Sequence, residues 1–320
     1  MAEHSTLDRV LVLEVVRVTE AAAVAACELV GRGDEMAADQ AAVDALRRAL
    51  NAIDIDGTVV IGEGERDLAP MLYIGEKVGT GTGPKVDIAL DPLEGTTITA
   101  KAMPNALAVV ALAEEGGLLN APDVYMSKIA IGPGFAPGTV DLDRSPAENV
   151  SALAKAKDMP VSEIVACVLD RPRHAEMIAE LRELGARVML IPDGDIAGII
   201  ATTDAATGVD IYMGAGGAPE GVLAAAALRC IGGQMQGRLL FRNKQEKARG
   251  DKWGISDFER KYTLNDMASG DLIFAATGVT NGNMLDGVKT IAGGYATHSL
   301  VMRSTTGTVR WIRAHHRRRH

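Results

Sequence analysis

Two short acidic clusters, each just downstream of an apolar strand pattern, hold the residues best suited to chemistry in this chain. In Asp91-Pro92-Leu93-Glu94-Gly95-Thr96, two carboxylates and a hydroxyl surround a Pro and Gly turn that follows an apolar run over 86–90. Hard cations such as Mg²⁺ and Mn²⁺ take carboxylate, carbonyl and water oxygens. A turn that exposes the N–H groups of Gly95 and Thr96 favours an anion. The pairing is chemistry for holding a divalent metal against a phosphate, although the same six residues taken alone also suit an ordinary turn. In Ile61-Gly62-Glu63-Gly64-Glu65-Arg66-Asp67, three acids fall within five residues after a strand pattern over 58–61. On an extended segment Glu63, Glu65 and Asp67 point to one side, where their repulsion favours a bound cation or a raised pKa. A solvated acidic turn is the alternative for this stretch. Asp39, near a helix start, and Glu220 add two more carboxylates.

Three polar clusters in the second half also follow apolar strand patterns, and ligands collect at such strand ends in α/β sheets. Asp170-Arg171-Pro172-Arg173-His174 offers two fork-shaped guanidinium groups suited to a phosphate. Pro192-Asp193-Gly194-Asp195 offers carboxylates for sugar hydroxyls, and Gly214-Ala215-Gly216-Gly217-Ala218-Pro219-Glu220-Gly221 opens a helix. Each has a structural alternative: Arg171 and Arg173 paired with Asp170 or Glu176, an Asp-Gly turn with a helix cap, and Glu220 complementing a helix dipole. His174 reads as a residue packed at a helix start rather than a general base. Carboxylates in the first half and arginines in the second together suggest a substrate with two phosphates.

The elements that must position these residues follow from periodicity. Residues 10–30 read as an amphipathic helix, interrupted by Glu14, Arg17, Glu20 and Glu28 and so too charged for a membrane span or a secretory apolar core. A second helix is expected over 39–51, and strands over 58–61, 86–90, 106–113 and 125–131, the last alternating around Lys128. Ser145-Pro146-Ala147-Glu148 is a capping box for a helix reaching about residue 157. A domain boundary near Pro160 gives an expected division into 1–160, binding metal and phosphate, and 161–320, binding substrate. Beyond it, strands and helices alternate as in an α/β fold with a largely parallel sheet. Residues 250–262 read as a mobile connection with a second capping box at Ser256 and Glu259, and strands close the chain near 272–276, 297–302 and 308–312. His315-His316-Arg317-Arg318-Arg319-His320 reads as a frayed end.

With 320 residues, 47% of them hydrophobic, the chain can bury a large core. A formal charge of −9, with no long basic stripe before the last few residues, argues against a nucleic-acid partner. Cys27, Cys167 and Cys230, widely spaced and odd in number, read as reduced core residues of a cytoplasmic protein.

Over nearly its whole length the chain resembles the class II fructose-1,6-bisphosphatases, some of which also act on sedoheptulose 1,7-bisphosphate. The resemblance runs through Arg17-Val18-Thr19-Glu20, Gly31-Arg32-Gly33-Asp34, the stretch from Ile61 to Glu76, and Asp91-Pro92-Leu93-Glu94-Gly95-Thr96. In the second half it covers Arg171-Pro172-Arg173-His174, Ile191-Pro192-Asp193-Gly194-Asp195 and Gly216-Gly217-Ala218-Pro219-Glu220-Gly221. The Asp-Pro-Leu-Glu-Gly-Thr element alone is similar to the wider lithium-sensitive phosphatase superfamily. The resemblance implies an α/β fold, a layered αβαβα sandwich, and Mn²⁺- or Mg²⁺-dependent removal of the 1-phosphate to leave fructose 6-phosphate. It implies Asp39, Glu63, Asp91, Glu94 and Glu220 as metal ligands, and Thr96, Glu65 and Asp67 as catalytic groups. Glu94, Gly95, Thr96, Tyr125, Arg171, Arg173, Asp193, Asp195 and Gly217 would touch the substrate. It also implies a homo-oligomer, dimer or tetramer, with a sugar bisphosphate as its partner and no nucleic acid or membrane. Glu35 departs from members that carry Lys there and adds an acid near the metal ligands. Two other readings use the same motifs, an inositol-monophosphatase-like or nucleotide phosphatase and a non-catalytic sugar-phosphate-binding regulator.

Overall fold

The structure, a computed structural model, describes Leu7, residues 9–64 and residues 71–318. Glu65 and Asp67 lie outside the described residues. Contacts divide the chain into two compact units, Met1–Leu119 with Ser269–His320, and Asn120–Ala268.

The first unit opens with α1 (Leu11–Cys27), which buries Val15, Val18, Ala22 and Ala26 completely, a stripe at helical spacing. α2 (Glu35–Leu50) starts four residues before its periodic face, because Asp34 caps it by accepting a hydrogen bond from the Ala37 N–H at 3.0 Å. β1 (Asp56–Ile61) pairs with a short antiparallel strand, β2 (Lys77–Val78). β3 (Lys85–Glu94) runs parallel to β1, then α3 (Thr96–Ala100) leads into antiparallel β4 (Leu107–Glu114).

The second unit begins at β5 (Tyr125–Ile131). α4 (Pro146–Lys157) carries the expected capping box, with Ser145 accepting from the Glu148 N–H and Glu148 accepting from the Ser145 N–H. β6 (Val165–Leu169), α5 (Ala175–Glu183), β7 (Arg187–Ile191), α6 (Asp195–Ala201), β8 (Ile211–Gly217) and α7 (Ala218–Ile231) then alternate as expected. β9 (Gln234–Leu240), α8 (Lys244–Lys252), β10 (Lys261–Thr263) and α9 (Leu264–Met267) complete the unit. The strand order β10-β9-β5-β8-β6-β7 is mixed rather than largely parallel. Crossover helices make β6 parallel to β7 and β8, whereas β5 enters before the first crossover and lies antiparallel to both β8 and β9. The capping box expected at Ser256 does not start a helix: Asp257 Oδ1 takes the Glu259 N–H at 3.0 Å in a local turn, and the working box is Thr263 with Asp266.

The chain then returns to the first unit through β11 (Leu272–Gly278), β12 (Lys289–Ile291), β13 (Gly294–Arg303) and β14 (Thr308–Arg317). β11 pairs with β4 along its length and places β13 beyond it, in the order β12-β13-β11-β4-β3-β1-β2 with β14 on β13. The compact units therefore differ from the expected division at 160, since Pro160 sits inside the second unit, between α4 and β6, and both pack in one core with α5. The basic tail, expected to fray, is strand as far as Arg317. Ile312 packs against the core, His316 Nε2 lies 2.9 Å from Thr297 Oγ1, and Arg318 donates to the Tyr295 hydroxyl at 3.0 Å.

Each unit is layered. In the first, α1 and α2 cover a sheet face, and a buried hydroxyl chain, Thr19 to Thr277 to Ser299 at 2.8 Å per step, ties α1 to β11 and β13. In the second, α4 and α5 cover the face carrying Ala166 and Val168, while Gly198 of α6 lies against Cys167 and Tyr212 of the opposite face. This is a mixed α/β architecture with a sheet and helical layer in each unit.

Candidate active site

The second unit gathers its polar clusters at one sheet edge. β6, β7 and β8 are parallel, so the segments after them emerge together, and antiparallel β5 brings its first residue to the same edge in the pair Tyr125 with Gly217. A cavity of about 360 Å³ opens there, lined by Tyr125, Arg171, Arg173, Asp193, Asp195, Gly217 and Glu220, all of them expected from the sequence. Asp123, Arg242 and Arg249 also line it and were not expected.

Local chemistry fixes these groups. His174 is buried and neutral in its hydrogen bonding: Nδ1–H donates to the Leu169 carbonyl at 2.7 Å, and Nε2 accepts the Ala215 N–H at 2.8 Å. It pins the end of β6 to the end of β8 at the start of α5, and burial lowers its pKa. Arg173 donates twice to the Ala215 carbonyl, at 2.9 and 2.6 Å, and its guanidinium lies 4.8 Å from the Tyr125 ring centre. Gly194, at φ +84°, turns the Asp193-Gly194-Asp195 corner into α6.

Beneath the cavity Lys128 is fully buried in the middle of β5, paired with Asp195 and donating to the Gly217 carbonyl at 2.9 Å. A buried ammonium is tolerated only with such partners. Glu220 Oε2 is buried with no hydrogen-bond partner among the described residues. Burial pushes the Glu220 carboxyl up to about 7, with the Asp195 charge adding to the shift and Lys128 opposing it. Burial holds the Cys167 thiol at about 12 and Cys27 at about 11, so neither is a thiolate nucleophile at neutral pH.

In the first unit β3 continues past residue 90 to Glu94, with a register shift against β4 between Asp91 and Glu94. Such irregularities re-aim side chains. Asp91 Oδ1 accepts the Leu93 N–H at 3.1 Å across Pro92, Glu94 is buried, and Gly95 turns the chain at φ +89° so that Thr96 begins α3. The Gly31-Arg32-Gly33-Asp34 turn is tied to the end of α3 by Gly31 N–H to Thr99 O at 2.9 Å and Gly33 N–H to Ala100 O at 3.0 Å. Because Asp34 caps α2, these bonds also locate Asp39, one helical turn in, whose carboxyl pKa is raised by burial. Glu63 follows β1 and donates its N–H to the Leu72 carbonyl at 3.0 Å. Gly62 beside it can only be glycine without rearrangement, since a Cβ would stand 2.1 Å from Leu72 O.

The donor chemistry of Asp39, Glu63, Asp91 and Glu94, all carboxylate oxygen, fits a hard divalent cation, as does the buried oxygen of Glu220. Among the described residues, no three His, Cys, Asp or Glu side chains stand close enough to form a ready-made metal cage.

Comparison with known proteins agrees with the motifs. A family described as bacterial fructose-1,6-bisphosphatase, glpX-encoded, matches residues 9–316. The chain belongs to this family. The fructose-1,6-bisphosphatase 1 class 2 of Escherichia coli strain K12 is 48% identical over 322 residues, covering 96% of this chain and 95% of the relative. Class 2 fructose-1,6-bisphosphatases of Escherichia coli O6:H1 and Shigella flexneri match to the same extent, 48% over 322 residues. The family match takes in both the Asp91 to Thr96 turn of the first unit and the cavity of the second, and it bears out the class II resemblance. No described helix is long and apolar enough to cross a membrane.

Proposed function

We propose that this protein is a metal-dependent phosphoric monoester hydrolase that removes the 1-phosphate of fructose 1,6-bisphosphate, leaving fructose 6-phosphate, in gluconeogenesis. The family match across residues 9–316 carries the reading, and the arginine- and aspartate-lined cavity supports it. A bound divalent cation supplies positive charge against the phosphoryl oxygens and acidifies the attacking water. Asp39, Glu63, Asp91 and Glu94 are the oxygens that would hold Mn²⁺ or Mg²⁺, and Glu220 has the same donor chemistry. Thr96, at the first position of α3, orients the water through its hydroxyl, with Glu65 and Asp67 assisting as proton acceptors. The Gly95 and Thr96 N–H groups donate to a phosphoryl oxygen, with Glu94, Gly95 and Thr96 against the substrate. In the second unit Arg171 and Arg173 take phosphate, Asp193 and Asp195 accept sugar hydroxyls, and Tyr125 and Gly217 close the contact.

The Asp-Pro-Leu-Glu-Gly-Thr element supports kinship with the lithium-sensitive phosphatase superfamily. Free, largely buried cysteines support a cytoplasmic setting, and the enzyme acts there as a homo-oligomer, which light scattering would measure. Phosphate release from fructose 1,6-bisphosphate, sedoheptulose 1,7-bisphosphate, inositol 1-phosphate and a 3′-phosphonucleotide tests the assignment. Preference for the fructose bisphosphate is expected, and release from the seven-carbon bisphosphate as well would show a dual enzyme. Preference for a monophosphate or nucleotide would overturn the reading, and so would thermal stabilisation by the bisphosphate with no release.

A further inference from the structure

β9 runs antiparallel to β5, so its C-terminal end meets the start of β5 in the pair Leu240 with Tyr125. The segment after β9 is thereby delivered to the cavity edge, and it carries Arg242 and then α8. On α8, Glu246, Arg249 and Gly250 share one face at helical spacing, and Glu246 and Gly250 are buried in an otherwise polar helix. Gly250 packs where a Cβ would stand 2.8 Å from the Phe241 ring and 3.1 Å from the Phe258 ring, two rings in edge-to-face contact at 4.7 Å. The buried Glu246 carboxylate accepts the Arg242 N–H at 2.7 Å, Arg242 Nε at 3.0 Å and Arg242 Nη2 at 2.7 Å. Held this way, the Arg242 guanidinium lies 4.4 Å from the Tyr125 ring centre. These contacts set which way α8 faces, and that face turns Arg249 to the cavity.

The arginines of the cavity differ in their commitments. Arg173 gives two donors to the Ala215 carbonyl, and Arg171 gives one to the Asp170 carbonyl at 3.2 Å. Arg249 is half-buried, and its guanidinium makes no hydrogen bond or ion pair among the described residues, acting on Glu246 only through longer-range attraction. A partly desolvated guanidinium facing a polar cavity is matched by a phosphate, whose oxygens accept its paired donors.

We propose that Arg249, with Arg242 beside it, binds the phosphate that is not cleaved and so sets the preference for sugars with two phosphates. The proposal rests on the bisphosphatase reading above. It is tested with Arg249→Gln and Arg249→Lys against the wild type, reading steady-state hydrolysis of fructose 1,6-bisphosphate and calorimetric binding of fructose 6-phosphate and fructose 1-phosphate. In Arg249→Gln, the KM for the bisphosphate and the Kd for fructose 6-phosphate should both rise roughly tenfold to a hundredfold, with kcat little changed, since a charge-assisted contact present in ground and transition state is lost. Binding of fructose 1-phosphate should stay as in the wild type, and Arg249→Lys should fall between the two. Unchanged fructose 6-phosphate binding, or an equal loss for both monophosphates, would overturn the proposal. Because binding is read apart from turnover, a wild type that binds fructose 6-phosphate and releases no phosphate would count against the hydrolase reading alone. If Arg249→Gln does not fold, Arg249→Lys with wild-type affinity for fructose 6-phosphate and Arg242→Gln with wild-type affinity would together reject the pair.

Discussion

At Gly217 a single added methyl group would stand 1.8 Å from Glu220 Oε2, and at Gly216 it would stand 2.3 Å from Asp195 Oδ2. Glycine at these positions is room for carboxylates. Gly217→Ala should leave the melting temperature within a few degrees but lower kcat/KM by roughly tenfold or more, as a displaced active-site group does; wild-type kinetics would show that the position of Glu220 is immaterial. His174 makes a pH prediction. Its folded pKa lies below the ordinary 6.5, so the unfolded chain binds the proton first as pH falls. The neutral imidazole therefore stabilises the fold fully above 6.5, and that contribution drains away as the pH drops through the folded pKa. Urea unfolding from pH 7 down to 5 should show this loss, and His174→Gln should flatten it; an equal slope in the variant would contradict the geometry in which the neutral ring bridges the Leu169 carbonyl and the Ala215 amide. Arg171, Arg173, Asp193 and Asp195 were legible as cavity-lining residues because charged groups directly after successive parallel strands emerge at one sheet edge, although Gly194 also makes the Asp-Gly corner and Arg173 also donates to a backbone carbonyl. Lys128 was not, although it interrupts an apolar strand, because its partner Asp195 lies 67 residues away and only pairing across the sheet brings them together.

Most strands and helices could be placed from periodicity, since β5 matches its expected limits and α4 begins at its capping box. The extension of β3 through Asp91-Pro92 was not legible, because a proline and a bulge look like the end of a strand when the partner strand is unknown. β9 and α8 escaped notice for a related reason. Gln234–Leu240 alternates with polar residues facing outward, and α8 is polar around nearly its whole circumference, so neither shows the apolar signal of a core element. That gap hid Arg242 and Arg249. The first half of β14 was expected over 308–312, but its continuation to Arg317 was misread from its charge, although the alternate residues Ile312, Ala314 and His316 are the more buried ones. Removing residues 308–320 should lower stability by roughly 2–4 kcal/mol in urea unfolding, for the loss of a ten-residue pairing and the Ile312 contact. A truncated chain as stable as the full one would return the tail to a frayed end.

The unit that contains the Asp91 to Thr96 turn is discontinuous in sequence, with Ser269–His320 completing the sheet begun by Met1–Leu119. A linear reading sees a change of pattern near Pro160 and cuts there, because the pairing of β11 with β4 leaves no local mark on either strand. Function was legible all the same, since it depends on short motifs that are contiguous, and residues 9–316 fall within the bisphosphatase family. The proposed activity requires a divalent cation held by Asp91 with other carboxylates. The most direct test is phosphate release from fructose 1,6-bisphosphate by the wild type and Asp91→Asn, each in Mn²⁺, in Mg²⁺ and in EDTA, with a thermal melt of both. The account predicts release by the wild type only with a divalent cation, and a loss of more than about a hundredfold in a normally folded Asp91→Asn. Release that persists in EDTA, or wild-type turnover by Asp91→Asn, would contradict it.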